Sequence, residues 1–279
     1  MDMNWFQSLL LGLLSGLAEI LPVSAHAHRL VMLKLFGATS EPALLRLMIH
    51  LGTLASLYYC LRNHVVRMTR AQRLSQIPKK RRKRPLDTKS LADFRLLKTT
   101  LIPIVIGFLF YGKTAVLGSK LLIVAAALIV NGLILYIPQF LPGSTRESDQ
   151  MSPVDGLLLG LGVAAATIPG LSAIGLALSI ASIRGMEKKA ALNIALLMNI
   201  PMVLGLTVHD VISILSGGLS GVSIGLVFSS LLAAAAAFAG VFLGIKLLRK
   251  ISDTIGYAGF GFYCWGTALF TFFIFLTAA

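Results

Sequence analysis

The run Gly16-Leu17-Ala18-Glu19-Ile20-Leu21-Pro22-Val23-Ser24-Ala25-His26-Ala27-His28-Arg29 decides how this chain folds. It lies inside a largely apolar stretch, Leu9 to Leu35, yet it holds a proline, a carboxylate, two imidazoles and a guanidinium. Proline lacks a backbone donor and clashes with the preceding turn, so a straight helix cannot pass Pro22. Backbone left unpaired at membrane depth is tolerated only where protein buries it or where it lines a wet cavity. The stretch therefore reads as a re-entrant hairpin over residues 5–36. A second apolar stretch, Gly156 to Ile183, breaks in the same way at Ile168-Pro169-Gly170-Leu171-Ser172-Ala173 and reads as a hairpin over 153–184.

Around these breaks the chain is strongly apolar. Of its 279 residues 56% are hydrophobic and 13% charged, and the mean hydropathy is +0.84. A soluble domain carries about a quarter charged residues, so an ordinary water-soluble globule is excluded. Windows long enough to span a bilayer as helices lie at roughly 42 to 61, 98 to 112, 119 to 140, 190 to 209, 221 to 246 and 255 to 277. The window at 98 to 112 is short and needs Lys98 and Lys113 to snorkel to the interfaces.

Each break opens a unit of one interrupted stretch followed by three spans. Three crossings are an odd number, so the second unit enters from the opposite side, which is the logic of an inverted repeat with its site at the repeat interface. The expected fold is an all-α integral membrane protein with six transmembrane helices plus two re-entrant helical hairpins in an inverted-topology repeat. Residues 1–141 form the first repeat and 153–279 the second.

Thirteen of the 25 Lys and Arg residues lie between Arg62 and Lys98, opposed there only by Asp87 and Asp93. The run Lys79-Lys80-Arg81-Arg82-Lys83-Arg84 has the composition of a nucleic-acid patch. Its position between two apolar segments is accounted for by the positive-inside rule, so no nucleic-acid partner is expected. The loop 62–98 should be cytoplasmic and attract anionic lipids. Asp2 and the lack of a basic leader argue against a cleaved signal peptide, so the first segment is expected to remain. Cys60 and Cys264 are remote in sequence and read as packing residues.

An ionisable side chain inside a membrane segment is costly and marks a function or an interior partner. Glu19, Ser24, His26, His28 and Arg29 fall within eleven residues. Together they suit phosphate chemistry, with imidazole as base or nucleophile and arginine as a clamp on the anion. The plainer alternative is that Glu19 and a histidine tie down a broken helix.

The segment Gly16 to Ser24 followed by His28 resembles the first signature of the bacitracin-resistance type undecaprenyl pyrophosphate phosphatases, E-G-x-T-E-F-L-P-V-S-S-T-G-H. Pro169-Gly170-Leu171-Ser172-Ala173-Ile174-Gly175 resembles their second, P-G-x-S-R-S-G. Ile49-His50-Leu51-Gly52-Thr53-Leu54-Ala55, Ile102-Pro103-Ile104-Val105-Ile106-Gly107 and Asn199-Ile200-Pro201-Met202-Val203-Leu204-Gly205 are similar to further segments of that family, in the same order.

The resemblance implies six spanning helices, two re-entrant hairpins and a bacterial inner (cytoplasmic) membrane location. It also implies an outward-facing site that converts undecaprenyl pyrophosphate, the lipid carrier of cell-wall synthesis, to the monophosphate. Several family positions are changed: Ser15 replaces the first glutamate, Ala25 the second serine, His26 the threonine, Ala27 the glycine, and Ala173 and Ile174 the second motif's arginine and serine.

Glu19 and His28 are then the expected catalytic pair, with Ser24, His26, Arg29, Gly170, Ser172 and Gly175 holding phosphate. No resident metal is expected, and any magnesium or calcium would arrive with the pyrophosphate. Because catalytic positions are changed, the alternative is an impaired paralogue that binds or translocates a polyprenyl phosphate. His50, where the family shows glutamine, reads as a hydrogen-bonded interior residue. His209-Asp210 reads as an interfacial pair without chemistry. Asn131, Asn193 and Asn199 are expected to bond between helices, with Asn193 and Asn199 near enough to the second hairpin to line the cavity.

Overall fold

The computed structural model describes residues 3–38, 41–143, 145–217, 222–254 and 257–278, and among them every regular element is helical. The helices are α1 (Trp5–Ile20), α2 (Ala25–Leu35), α3 (Ala43–Ser75), α4 (Thr88–Leu109), α5 (Tyr111–Ala115) and α6 (Leu121–Tyr136). They continue with α7 (Pro153–Ala165), α8 (Ala173–Ile183), α9 (Lys188–Gly217), α10 (Ile224–Thr254) and α11 (Ala258–Ala278). Among the described residues α3, α6 with its short extension to Phe140, α9, α10 and α11 are long and apolar enough to cross a membrane. A sixth span results if α4 and the segment Tyr111–Ser119 are taken together across their 61° bend. The chain is thus a multi-pass membrane protein. The expected starts of two spans, at 221 and 255, fall outside the described residues.

Local chemistry sets the helix starts. The Asn4 side chain accepts from the Gln7 amide while the Gln7 side chain accepts from the Asn4 amide, and Ser152 and Asp155 make the same reciprocal pair ahead of Pro153. Each pair satisfies amides that a helix start leaves without partners.

The basic segment is not the loop that its charge suggested. Between Gly52 and Pro78 the sequence has neither glycine nor proline, so α3 runs unbroken to Ser75, three residues before the proline that forbids its continuation. At about 1.5 Å per residue, its 33 residues reach roughly 50 Å, well beyond a hydrocarbon core of about 30 Å. On the far side Asp87 accepts from the Ser90 amide and starts α4 at Thr88, ten residues before the expected window. The Ser90 amide and hydroxyl hold the Asp87 carboxyl below the usual carboxylate range. Only residues 76–87 connect the two helices. Charge patterning reports on which side a segment lies, whereas the uninterrupted run of helix formers decides its conformation.

Several helix contacts have a counterpart on exchange of the two halves. Helix α1 lies against α10 and α7 against α4; α3 contacts α10 and α9 contacts α4; α6 pairs with α11 and α3 with α9. Small residues permit the closest of these approaches. A Cβ at Gly12 or Gly16 would run into the backbone of Ala233 or Ala237 on α10, so the α1–α10 contact is backbone against backbone. The main apolar core gathers Ile20, Leu57, Leu159, Ile174, Leu178, Leu196 and Val203, so the end of α1 and the start of α8 belong to it.

Candidate functional site

Both helix breaks end in a serine that caps the next helix. Ser24 accepts from the Ala27 amide at 3.4 Å to start α2, and Ser172 accepts from the Gly175 amide at 3.1 Å to start α8. Ser24 has φ 67° and is the one non-glycine residue with positive φ among the described residues. A serine held there costs backbone strain, of a kind that clusters at functional sites. Gly170, at φ +107°, lets the second break turn hard against Val124 and Ala127 of α6.

Asn131 ties the two breaks together. Buried at 1% exposure, it donates from Nδ2 to the Pro22 carbonyl at 3.1 Å and accepts at Oδ1 from the Ser172 amide at 2.9 Å. Gly175 completes the contact, since a Cβ there would sit 3.3 Å from Pro22 Cβ. Asn131→Leu keeps roughly the size but orphans the buried Ser172 amide, at a cost of about 1–3 kcal/mol, and leaves the Pro22 carbonyl only the Cys264 thiol at 3.7 Å. A clearly lowered midpoint of thermal unfolding in detergent is the expected result. An unchanged midpoint would remove Asn131 from this role.

Between the joined breaks lies a cavity of about 40 Å³, roomy enough for ordered water. It is lined by Glu19 at the end of α1, Ala25, His26 and Arg29 of α2, Thr167, Leu171, Ser172 and Ala173 of the second break, and Tyr111, Met202 and Leu206. The starts of α2 and α8 therefore converge on one space, and their first amides have no acceptor within their own helices. Such helix ends favour an anion.

Of the residues expected from sequence, Glu19, His26, Arg29 and Ser172 line this cavity. His28, the expected partner of Glu19, does not. Its Nδ1 donates to the Ser24 carbonyl at 2.8 Å, its Nε2 accepts from the Tyr263 hydroxyl at 2.8 Å, and its ring stacks on Tyr263. Adjacent side chains on a helix point about 100° apart, so Arg29 and its neighbour His28 cannot share a face. His26 and Arg29, three apart, can. Ser24, Gly170 and Gly175 also lie outside the lining, and shape the breaks that frame it. Among the described residues no group of three or more His, Cys, Asp or Glu side chains is arranged to hold a metal ion.

Arg29 opens a buried chain that sequence reading did not anticipate. Its Nη1 donates to His50 Nε2 at 3.0 Å; His50 Nδ1 donates to Asp210 Oδ2 at 2.6 Å; Arg46 Nε donates to Asp210 Oδ1 at 2.6 Å. Exposures are 6% for Arg29, 3% for His50 and 2% for Asp210. The interior setting of His50 agrees with expectation, and Asp210 is buried rather than exposed: α9 brings it to His50 across 160 positions of sequence. Asn199 donates weakly to the Glu19 carbonyl at 3.4 Å, whereas Asn193 lies near His64 and Asp93, away from the cavity. Cys264 is a buried free thiol that accepts from Asn131, and Cys60 is also free.

A family model described as bacitracin resistance protein BacA matches residues 8–270. An undecaprenyl-diphosphatase of Carboxydothermus hydrogenoformans is 31% identical over 266 residues, covering 94% of each chain. An undecaprenyl-diphosphatase 1 of Shouchella clausii is 28% identical over 97% of this chain and 96% of its own. An undecaprenyl-diphosphatase of Methanobrevibacter smithii is 28% identical over 97% of both chains.

Proposed function

Because this chain belongs to the bacitracin resistance protein BacA family, we propose that it is an undecaprenyl pyrophosphate phosphatase, removing the terminal phosphate of that polyprenyl carrier to leave the monophosphate. The observation that carries the reading is Arg29. It lines the cavity at 6% exposure, and among the described residues its one side-chain partner is a neutral-type acceptor, His50 Nε2, rather than a carboxylate. A buried cation with no carboxylate within ion-pairing distance among the described residues is costly, and a phosphate entering the cavity supplies a direct partner. The names of the full-length relatives support the same substrate.

In this proposal the terminal phosphate displaces cavity water and sits against Arg29, the start of α2 and the Ser172 end of α8, while the polyprenyl tail stays in lipid. Glu19 takes a proton from the attacking water as its oxygen bonds to phosphorus and the bridging P–O bond breaks. The leaving lipid phosphate takes the bond electrons, and the proton passes on to a product phosphate. His26 replaces His28 as the imidazole facing the reacting groups and donates to the phosphate oxygens. The changed family positions thus have a local substitute: Arg29 serves where the second motif's arginine is Ala173. Among the described residues Glu19 is the carboxylate in the cavity lining, and it would be the side chain to ligate a magnesium or calcium ion carried by the pyrophosphate.

The same reading makes α1–α2 and α7–α8 re-entrant hairpins of an inverted repeat, 1–141 against 153–279, with six spans. The helix contacts with counterparts in the other half and the meeting of the two breaks support it. The basic ends of α3 and α4, within 62–98, belong on the cytoplasmic face of the cytoplasmic membrane, next to anionic lipids.

Purified protein in detergent is expected to release one inorganic phosphate per undecaprenyl pyrophosphate. Folded protein that releases none would overturn the assignment. The transport alternative has no observation of its own in its favour.

A further inference from the structure

The chain Arg29–His50–Asp210–Arg46 has a definite proton arrangement. Arginine only donates, so His50 Nε2 must accept from Arg29 and its proton must sit on Nδ1, where it is given to Asp210. A carboxylate at one ring nitrogen selects the tautomer and frees the other nitrogen's lone pair. Arg46 occupies the second oxygen of Asp210 and balances its charge. Within these four side chains two guanidinium groups share one carboxylate; Arg46 is bonded to it directly, and Arg29 reaches it only through His50 at the cavity end of the chain.

We propose that His50 and Asp210 are positioning residues for the phosphate-binding Arg29: Asp210 fixes the tautomer of His50, whose Nε2 holds the Arg29 guanidinium at the cavity. This rests on the phosphatase reading for the identity of the anion. Burial of all three groups, the 3.0 Å and 2.6 Å bonds, and the placement of Arg29 in the cavity lining carry it. Three separate elements, α2, α3 and α9, meet in the chain, so it also locks the first hairpin against the bundle. The fixed guanidinium requires no reorientation as charge develops on the phosphate.

The test is a double-mutant cycle on kcat with undecaprenyl pyrophosphate. His50→Leu removes the acceptor and should lower kcat roughly 10- to 100-fold, the scale of a misplaced catalytic group. His50→Gln restores both an acceptor for Arg29 and a donor for Asp210, and should recover kcat to within about threefold of wild type. Arg29→Met combined with His50→Leu should be no slower than Arg29→Met alone, because residues acting through one another are non-additive. Independent, multiplicative losses would overturn the proposal, as would a failure of Gln to rescue, because a purely structural role predicts both.

Should His50→Leu not be recovered folded, Asp210→Asn replaces it in the same cycle with the same expected non-additivity. Calorimetric binding of inorganic pyrophosphate to the purified protein separates this proposal from the phosphatase reading. If wild type binds it but turns over no lipid substrate, the phosphatase reading fails, and loss of binding by both Arg29→Met and His50→Leu still supports the positioning role. Retained binding in His50→Leu with loss in Arg29→Met would overturn it.

Discussion

Arg29→Met is expected to lower kcat/KM for undecaprenyl pyrophosphate by roughly 10³-fold or more, the upper end of what one charged group at a phosphoryl-transfer site contributes. Methionine fills similar space with an unbranched chain, so α2 should keep its packing while the cavity loses the Arg29 guanidinium. What remains for the phosphate is the pair of helix starts, whose partial charges are worth far less than a full cation. Arg29→Lys retains the charge but not the planar fork that can serve His50 and a phosphate oxygen together, and should fall between the two. Phosphate release measured over a range of substrate concentrations gives kcat and KM for each form. A loss below about tenfold for the methionine variant would take Arg29 out of the site.

Glu19→Gln should lower kcat by about 10²- to 10⁴-fold with KM near the wild-type value, as expected when a general base is lost and ground-state binding is kept. The substitution is nearly isosteric, and Asn199 donates to the backbone carbonyl, which survives the change. Damage to the fold is therefore a poor explanation for any loss. His28→Ala provides the contrast, because His28 faces Tyr263 and not the cavity. A variant without Glu19 that turns over at more than a tenth of the wild-type rate would show that the water is activated elsewhere.

Much of the site is legible along the chain because its groups are local to the two breaks. Glu19, His26 and Arg29 come from a single run of eleven residues, and Ser172 follows the second proline by three positions. Sequence proximity gathers more residues than line the cavity. Ser24, His28, Gly170 and Gly175 belong to the same runs, yet they shape the breaks or face α11, since a break changes the direction of each following side chain. Asn131 and Asp210 carry no motif. A single polar residue in an apolar helix signals some interior partner, but not which one.

The sequence by itself determined that this chain lives in a bilayer, that its helices break near Pro22 and Pro169, and that ionisable side chains gather at the first of those breaks. These follow from composition, from proline's missing donor and from the cost of charge in lipid, all of which act locally or on sums over residues. Tertiary structure alone decided that Asn131 joins the two breaks across 109 and 41 positions, and that His26 rather than His28 faces Glu19's cavity. It alone joined Arg29 to Asp210 through His50. The reason is geometric: which residues meet depends on helix rotation and on packing between elements far apart in sequence, where backbone meets backbone at glycines such as Gly16.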